Sequence, residues 1–175
     1  MDWLPVSVLT AVGLLLVAST AWIGRRERER AGLFWSLAGL LLVVDGLVTI
    51  TQMPEPLVPY LAYGGGPLIA WLAYKGAASF AGVRAHPAAL PLALLSVLAW
   101  VGFYESGEPT FGYAAGSVGA AVLVFATYRT LSPIARTTAQ RAVVRSWLIP
   151  GALIALDPIF KAAGLAPHAE VEIWM

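Results

Sequence analysis

Three ionisable residues lie well inside long apolar segments, away from the ends that carry the other charges, and a charged side chain there needs either a partner or a task. They are Asp45, Asp157 and Lys161. A charge at the centre of a bilayer costs at least about 2.5 to 3.5 kcal/mol, so such residues are candidates for binding a ligand, an ion or a proton. Asp45 and Asp157 lie at similar depths in segments that run in the same direction. The sequence therefore predicts a polar layer of these three residues in the outer half of a helix bundle.

A second arrangement of the same residues needs no ligand. Lys161 follows Asp157 by four positions, so the two side chains share a helical face and would form an intrahelical ion pair. Asp45 would then accept hydrogen bonds from hydroxyl groups inside the bundle. Lys75, in contrast, lies nearer the other surface, where its long side chain can reach the headgroups.

Several other chemistries lack the residues that they require. The chain has no cysteine, which excludes disulfides, thiolate metal sites and a thiol nucleophile. His86 and His168 form neither a haem-ligating pair nor an HExxH zinc motif, so we expect no metal site. A proteolytic dyad would need Asp45 and Asp157 about 3 Å apart, and no motif brings them together, so we expect no enzyme activity.

The composition indicates that membrane helices position these residues. Hydrophobic residues make up 59% of the chain and charged residues 12%, against roughly 25% charged in soluble domains. At about 20 residues per crossing, 175 residues allow about six helices. We predict an all-α, polytopic membrane helix bundle that forms one integral membrane domain over residues 1–175. Its segments are Trp3–Ile23, Gly32–Thr51, Leu57–Val83, Ala88–Tyr104, Phe111–Leu131 and Ala142–Gly164.

The charges of the loops predict the orientation of this bundle. Alternate loops carry either Glu55, Glu105 and Glu108 or a set of basic residues. The positive-inside rule places the basic loops in the cytoplasm and both termini outside. The many arginines, alanines and glycines favour a prokaryotic cell membrane, and the net charge of +1 argues against a nucleic-acid partner. The arginines of the basic loops are Arg25, Arg26, Arg28, Arg30, Arg84, Arg129, Arg136, Arg141 and Arg145.

Glycine and proline predict irregularities in two of the helices. The third segment contains the run Gly64, Gly65, Gly66 and Pro67, which is a costly way to build a continuous helix. Either the helix is broken there and lines a polar cavity, or a loop extends to Gly66 and the helix begins at Pro67. In the sixth segment, Pro150 and Pro158 predict a kink.

The fifth segment has a face of small residues. Gly112, Gly116 and Gly119 recur at helical spacing, which allows a neighbouring backbone to approach closely. The face marks either an internal helix contact or a contact between subunits, and we predict the internal contact.

Two resemblances bear on function. The segment Leu156–Lys161 resembles the Asp-x-x-x-Lys of the retinal-binding helix in microbial rhodopsins, which would imply a retinal Schiff base on Lys161. Those proteins have seven helices and a lysine near mid-membrane on a helix that runs inward, whereas Lys161 is predicted near the outer end of an outward-running helix. We therefore expect no retinal or other cofactor.

The second resemblance extends from Arg26 to Gly164 and depends on Leu33–Leu42, on Tyr74-Lys75-Gly76 and on Phe80-Ala81-Gly82. These segments are similar to the multi-helix membrane sensor region that precedes the output domain in many bacterial diguanylate cyclases and histidine kinases. The resemblance implies detection of a signal from the membrane or from outside it. No output domain follows in this sequence.

Three functions fit these observations. The first is a signal-sensing or ligand-binding membrane module, which predicts saturable binding of a small molecule or ion that substitution of Asp45 or Asp157 abolishes. The second is a small transporter or transporter subunit, which depends on the broken third helix. The third is a structural subunit with a membrane-protein partner. We favour the first function.

Overall fold

The computed structural model describes residues 30–50 and 57–162, and the regular structure in these ranges is helical throughout. No strand occurs in the described ranges, so the all-α prediction is confirmed. The predicted first segment, Trp3–Ile23, lies outside the described residues. The helices are α1 Arg30–Ile50, α2 Leu57–Phe80, α3 Ala89–Glu105, α4 Pro109–Leu131, α5 Thr138–Ser146 and α6 Leu148–Ala162, and a 3₁₀ turn, Ser132–Ile134, follows α4.

The helix α2 is continuous, and both predictions for the run Gly64, Gly65, Gly66 and Pro67 are wrong. The helix neither breaks at the run nor begins at Pro67, which lies inside it. Proline lacks the N–H that would bond to the Tyr63 carbonyl, but the helix is held in place because α1, α3 and α4 all pack against it. The ring of Pro67 is fully buried in this packing.

Over its described residues, the predicted sixth segment, Ala142–Gly164, is divided between two helices, and the predicted kink stays a prediction. The helix α5 ends at Ser146, a single turn residue, Trp147, follows, and α6 begins at Leu148. Pro150 explains the break, because its missing N–H is the group that would have bonded to the Ser146 carbonyl four residues earlier. Pro150 thus lies in the first turn of α6, where proline is tolerated, and Pro158 lies inside α6.

The helices pack as an antiparallel bundle around α2 and α4. The helix α3 packs against both of these, α1 packs on α2, and α6 packs on α4. The centre contains the buried side chains of Tyr74 on α2, Ala93 on α3 and Leu123 on α4. The α2–α3 and α3–α4 connections are short because each reverses at a glycine of positive φ, Gly82 at 68° and Gly107 at 80°.

One described stretch, Thr110–Ile134, is long and apolar enough to cross a bilayer by length and composition. Arg30–Val44 and Ala89–Glu105 are shorter apolar helical stretches. The predicted number of crossings and their orientation therefore stay predictions.

Candidate functional site

The residues of the predicted polar layer lie on two of the helices. Asp45 is in the C-terminal part of α1, and Asp157 and Lys161 are in the C-terminal part of α6. Their backbones are described, and their side chains lie outside what the structure describes. Their relative positions therefore follow from the register of the two helices.

The register places both aspartates in the half of the bundle that is nearer the α3–α4 connection. On α1, Trp35 lies level with Gly76 of α2, and Asp45 is about 15 Å further along α1 at 1.5 Å per residue. On α6, Gly151 lies level with Val124 of α4, and Asp157 is about 9 Å further along α6. Both displacements are towards the same end.

The two helices that carry the predicted layer do not contact each other within the described residues. The helix α1 packs on α2, α6 packs on α4 and on α5, and α2 and α4 contact each other between them. The meeting of all three residues in one layer stays a prediction. Pairing of Asp157 with Lys161 requires only α6.

Three buried hydroxyl groups of the bundle donate hydrogen bonds within their own helices. Ser36, Ser96 and Thr127 are buried. Each hydroxyl donates a hydrogen bond to the carbonyl oxygen four residues earlier in its own helix. The oxygen–oxygen distances are 2.6 Å for Ser36, 2.8 Å for Ser96 and 3.0 Å for Thr127. The predicted hydrogen bonds of Asp45 stay a prediction, because its side chain lies outside what the structure describes.

The α1–α2 contact is built on Trp35, which belongs to one of the segments quoted for the sensor resemblance. A Cβ atom on Gly76 would lie 2.5 Å from Cδ1 and Nε1 of the indole, so any other residue at this position would displace the ring. The indole Nε1–H donates to the Ala73 carbonyl at 3.2 Å. The ring also packs against Phe80, with centroids 5.6 Å apart. Residues from all three segments that carry the sensor resemblance therefore meet at this contact.

The small-residue face of α4 lies against α3, and we call this contact the α3–α4 seam. A Cβ on Gly119 would overlap Oγ of Ser96 and lie 2.7 Å from its Cβ. A Cβ on Gly112 would lie 2.8 Å from the carbonyl oxygen of Trp100, and one on Gly116 would be 3.7 Å from the indole of Trp100. All three glycines thus face α3 inside one chain.

Charges separate to opposite ends of the described bundle. Glu105 and Glu108 lie at the α3–α4 connection. Described arginines lie at the other end, where α1 begins, where α2 meets α3, and around α5. The loop between α2 and α3 is fixed there by Tyr74, whose hydroxyl accepts a hydrogen bond from the His86 backbone N–H at 2.9 Å. These arginines are Arg30, Arg84, Arg129, Arg136, Arg141 and Arg145.

The basic end also contains a cavity that the sequence did not predict. Its volume is about 350 Å³, and we call it the elbow cavity because it lies where the chain turns from α4 into α5. A smaller cavity of about 180 Å³ lies at the same end, between Arg30 and Phe80. The lining of the elbow cavity consists of Tyr128, Ser132, Pro133, Ala135, Arg141, Val144 and Arg145.

Two sequence signals could have indicated the elbow. The chain from Pro109 to Leu156 has four arginines and no acidic residue, and Thr137 with Gln140 forms a capping-box sequence. The capping box is present in the structure: Gln140 N–H donates to Thr137 Oγ1, and Thr137 N–H donates to Gln140 Oε1, both at 3.1 Å. These arginines indicate which end of the bundle faces the cytoplasm. By themselves they do not indicate a cavity.

Within the described residues, no group of three or more His, Asp or Glu side chains could hold a metal ion. Comparison with known proteins gives no family for the chain: no protein-family model matches it, and neither a curated protein nor a solved structure shows significant similarity.

Proposed function

We propose that this chain is a multi-pass protein of a prokaryotic cell membrane and acts as a signal-sensing or ligand-binding module. Asp157 and Lys161 on α6 are the residues that respond to the ligand, and Asp45 on α1 is a further binding position in the same half of the bundle. Both termini and the acidic connection face the outside, and the arginine-rich end faces the cytoplasm.

The membrane location is supported by the apolar side chains on the outer faces of the bundle. Soluble proteins rarely expose contiguous apolar patches larger than a few hundred Å². On α3, Leu95 is 63% exposed and Leu98 is 65% exposed. Similar residues lie on α1, α4 and α6, between the basic end and the acidic connection. They include Leu33, Leu37, Leu42, Phe111, Val118, Val122, Ile149 and Ile159.

The sensing role depends on one observation, the connection between α6 and α5. The helix α6 carries Asp157 and Lys161, and at its other end only Trp147 separates it from α5. The helix α5 lies at the basic end, where it carries Arg141 and Arg145. A shift of α6 on ligand binding would therefore move α5 on the opposite side of the membrane, which is the behaviour required of a signal transmitter.

The continuity of α2 bears on the choice between sensing and transport. Transport was favoured by a broken third helix whose freed backbone groups would line a cavity. The helix α2 runs unbroken from Leu57 to Phe80, which removes that support.

The membrane topology is tested by single-cysteine labelling, because the chain has no cysteine of its own. Ser106→Cys lies in the α3–α4 connection and Ala139→Cys lies on α5, and both positions are exposed. In intact cells, a membrane-impermeant maleimide should label Ser106→Cys and should label Ala139→Cys only after permeabilisation. Equal labelling of both positions in intact cells would contradict the orientation, and recovery of the chain in the soluble fraction would contradict the membrane location.

The sensing role is tested without a known ligand by neutralising the proposed sensor residue. Spin labels on Val118→Cys in α4 and Ala139→Cys in α5 report the position of α5 in lipid nanodiscs. Asp157→Asn should change this distance by about 1 to 2 Å, since helix shifts of that size accompany switching. Glu108→Gln, which removes an exposed carboxylate from the α3–α4 connection, should leave it unchanged.

The same experiment separates sensing from a structural role. If Asp157 only neutralises Lys161 within α6, the α4–α5 distance will be the same in Asp157→Asn, in Glu108→Gln and in the unsubstituted chain. That result would contradict the sensing role and would favour a structural subunit. It should then be accompanied by a protein partner that stays bound in gentle detergent extracts.

A further inference from the structure

The elbow cavity has the size and the side chains of an anion site. Its volume of about 350 Å³ is within the range of about 300 to 1,000 Å³ that is usual for small-molecule sites. Arg141 and Arg145 line it, together with the hydroxyl-bearing side chains of Tyr128 and Ser132. Guanidinium groups bind carboxylate and phosphate oxygens through two parallel hydrogen bonds.

The arginines of the elbow have no carboxylate partner in the described part of the chain. The closest acidic residues along the sequence are Glu108 and Asp157. Glu108 lies at the far end of α4, and α6 leads away from the elbow towards Asp157. Two guanidinium groups beside one cavity repel each other unless an anion joins them. The elbow therefore has a positive charge that an external anion would neutralise.

Local hydrogen bonds order the start of α5 and orient one of the two arginines. Arg136 N–H donates to Gln140 Oε1 at 2.9 Å in addition to the capping box. The Nε–H of Arg141 donates to the Ala135 carbonyl at 3.4 Å, which directs the rest of the guanidinium group. Arg145 follows Arg141 by one helical turn, so both side chains lie on the same face of α5.

The packing of α5 fixes where the cavity lies. Val144 on the inner face of α5 is buried against Leu131 and Ala77, whereas Val143 on the outer face is 64% exposed. Trp147, which ends α5, is half-buried in the same cluster. A short amphipathic helix with arginines, an exposed valine and a neighbouring tryptophan is typical of the headgroup region of a membrane.

We propose that the elbow cavity binds a phosphate group, with Arg141 and Arg145 as its ligands, and that the phosphate belongs to the headgroup of an anionic phospholipid. The choice of a lipid depends on the membrane location proposed above, because that location holds the cavity among lipid phosphates. The proposal that the ligand is a phosphate does not depend on the membrane location, because it follows from Arg141 and Arg145 beside the cavity.

The test uses the full chain, purified in mild detergent, delipidated and titrated with phosphatidylglycerol while native mass spectrometry counts the bound lipids. The site variant is R141Q/R145Q. The control variant, R84Q/R129Q, removes the same charge from exposed positions that do not line the cavity. We expect the site variant to bind the lipid about tenfold more weakly and the control to change less than about twofold, because two charge-assisted contacts are lost only in the first.

Two further titrations identify the source of the phosphate. Phosphatidylcholine, which has the same phosphate without a net negative charge, should bind more weakly than phosphatidylglycerol and with no dependence on Arg141 and Arg145. Glycerol phosphate in solution should compete only weakly. If glycerol phosphate binds as tightly as the lipid and R141Q/R145Q abolishes this binding, the phosphate site is supported and the lipid source is overturned.

Other outcomes overturn the site itself. Equal losses in R141Q/R145Q and R84Q/R129Q would mean that the lipid responds to overall charge and not to the cavity. R141K/R145K keeps the charge but loses the planar fork, so it should bind at an intermediate level, and it shows whether a loss in the glutamine variant comes from misfolding. The cysteine labelling of Ser106→Cys and Ala139→Cys is independent of lipid binding, so failure of the membrane location is recognised separately.

Discussion

The α3–α4 seam and the α5–α6 arm, by which we mean residues 138–162, hold their helices in opposite ways. In the seam, Gly112 and Gly119 bring the backbone of α4 against α3, so that an added methyl group has no space. In the arm, two helices are separated at Trp147, and within the described residues α6 packs on α4 and α5 alone. From this difference we expect substitutions in the seam to cost more stability than substitutions in the arm, and the position of α5 to be easier to change than that of α3 or α4.

The seam gives the largest expected effect. In Gly119→Ala the new Cβ would lie 2.7 Å from the Cβ of Ser96, which is fixed to the α3 backbone. We expect the free energy of unfolding to fall by about 2 to 3 kcal/mol, because overpacking a tight contact forces the helices apart. Thermal unfolding followed by far-UV circular dichroism in mixed micelles measures the loss.

Two variants sharpen this prediction. Gly102→Ala is the matched control, since Gly102 is also helical but has no atom within 4 Å of the position that a Cβ would take; it should be neutral or stabilising by about 0.5 to 1 kcal/mol. Ser96→Gly should restore most of the stability of Gly119→Ala by removing the atoms that clash. If Gly119→Ala behaves like Gly102→Ala, the two helices are not in close contact.

The α1–α2 contact should respond less strongly than the seam. In Gly76→Ala the Cβ would meet the Trp35 indole at 2.5 Å, and a ring can rotate where a backbone cannot. The rotation would break the bond from Nε1 to the Ala73 carbonyl, so we expect a loss of about 1 to 2 kcal/mol. Adding Trp35→Leu should make the effect of Gly76→Ala disappear in a double-mutant cycle. Additive losses would contradict a direct contact.

The regions differ in how far the sequence predicts them. The ends of α1 to α4 are predicted to within a few residues, because apolar runs bounded by charged or glycine-containing loops leave little choice. The sequence does not predict that α2 is continuous, because it shows only that Gly64 to Pro67 are unfavourable residues for a helix. Packing against three helices outweighs that cost.

The break at Trp147 and the elbow cavity show a second limit. Pro150 predicts a kink, but its missing N–H equally predicts that a helix ends at Ser146. The capping box of Thr137 and Gln140 marks a helix start, and the two signals together would have predicted α5. The cavity itself depends on the angle between α4 and α5, which no local pattern encodes.

The start of α5 gives the third effect, which should stay local to the arm. Thr137→Ala removes the acceptor of the Gln140 N–H, and the loss of an N-cap costs about 1 kcal/mol. We expect faster hydrogen exchange in residues 138–141 and faster tryptic cleavage at Arg141, with little change in the unfolding of the whole bundle. Thr138→Ala, one residue later and also exposed, is the control. Equal effects of the two variants would show that the cap does not hold α5.

The smallest effect on stability and the largest on geometry should come from Pro150→Ala. The new N–H can bond to the Ser146 carbonyl, which removes the reason for α5 to end there. We expect α5 and α6 to approach one continuous helix and the distance between labels on Val118→Cys and Ala139→Cys to change, while the free energy of unfolding changes by less than about 1 kcal/mol. Ile149→Ala, at the neighbouring exposed position, should leave that distance unchanged. If Pro150→Ala also leaves it unchanged, the position of α5 is determined by Val144 and its neighbours and not by the break, and the arm is as fixed as the seam.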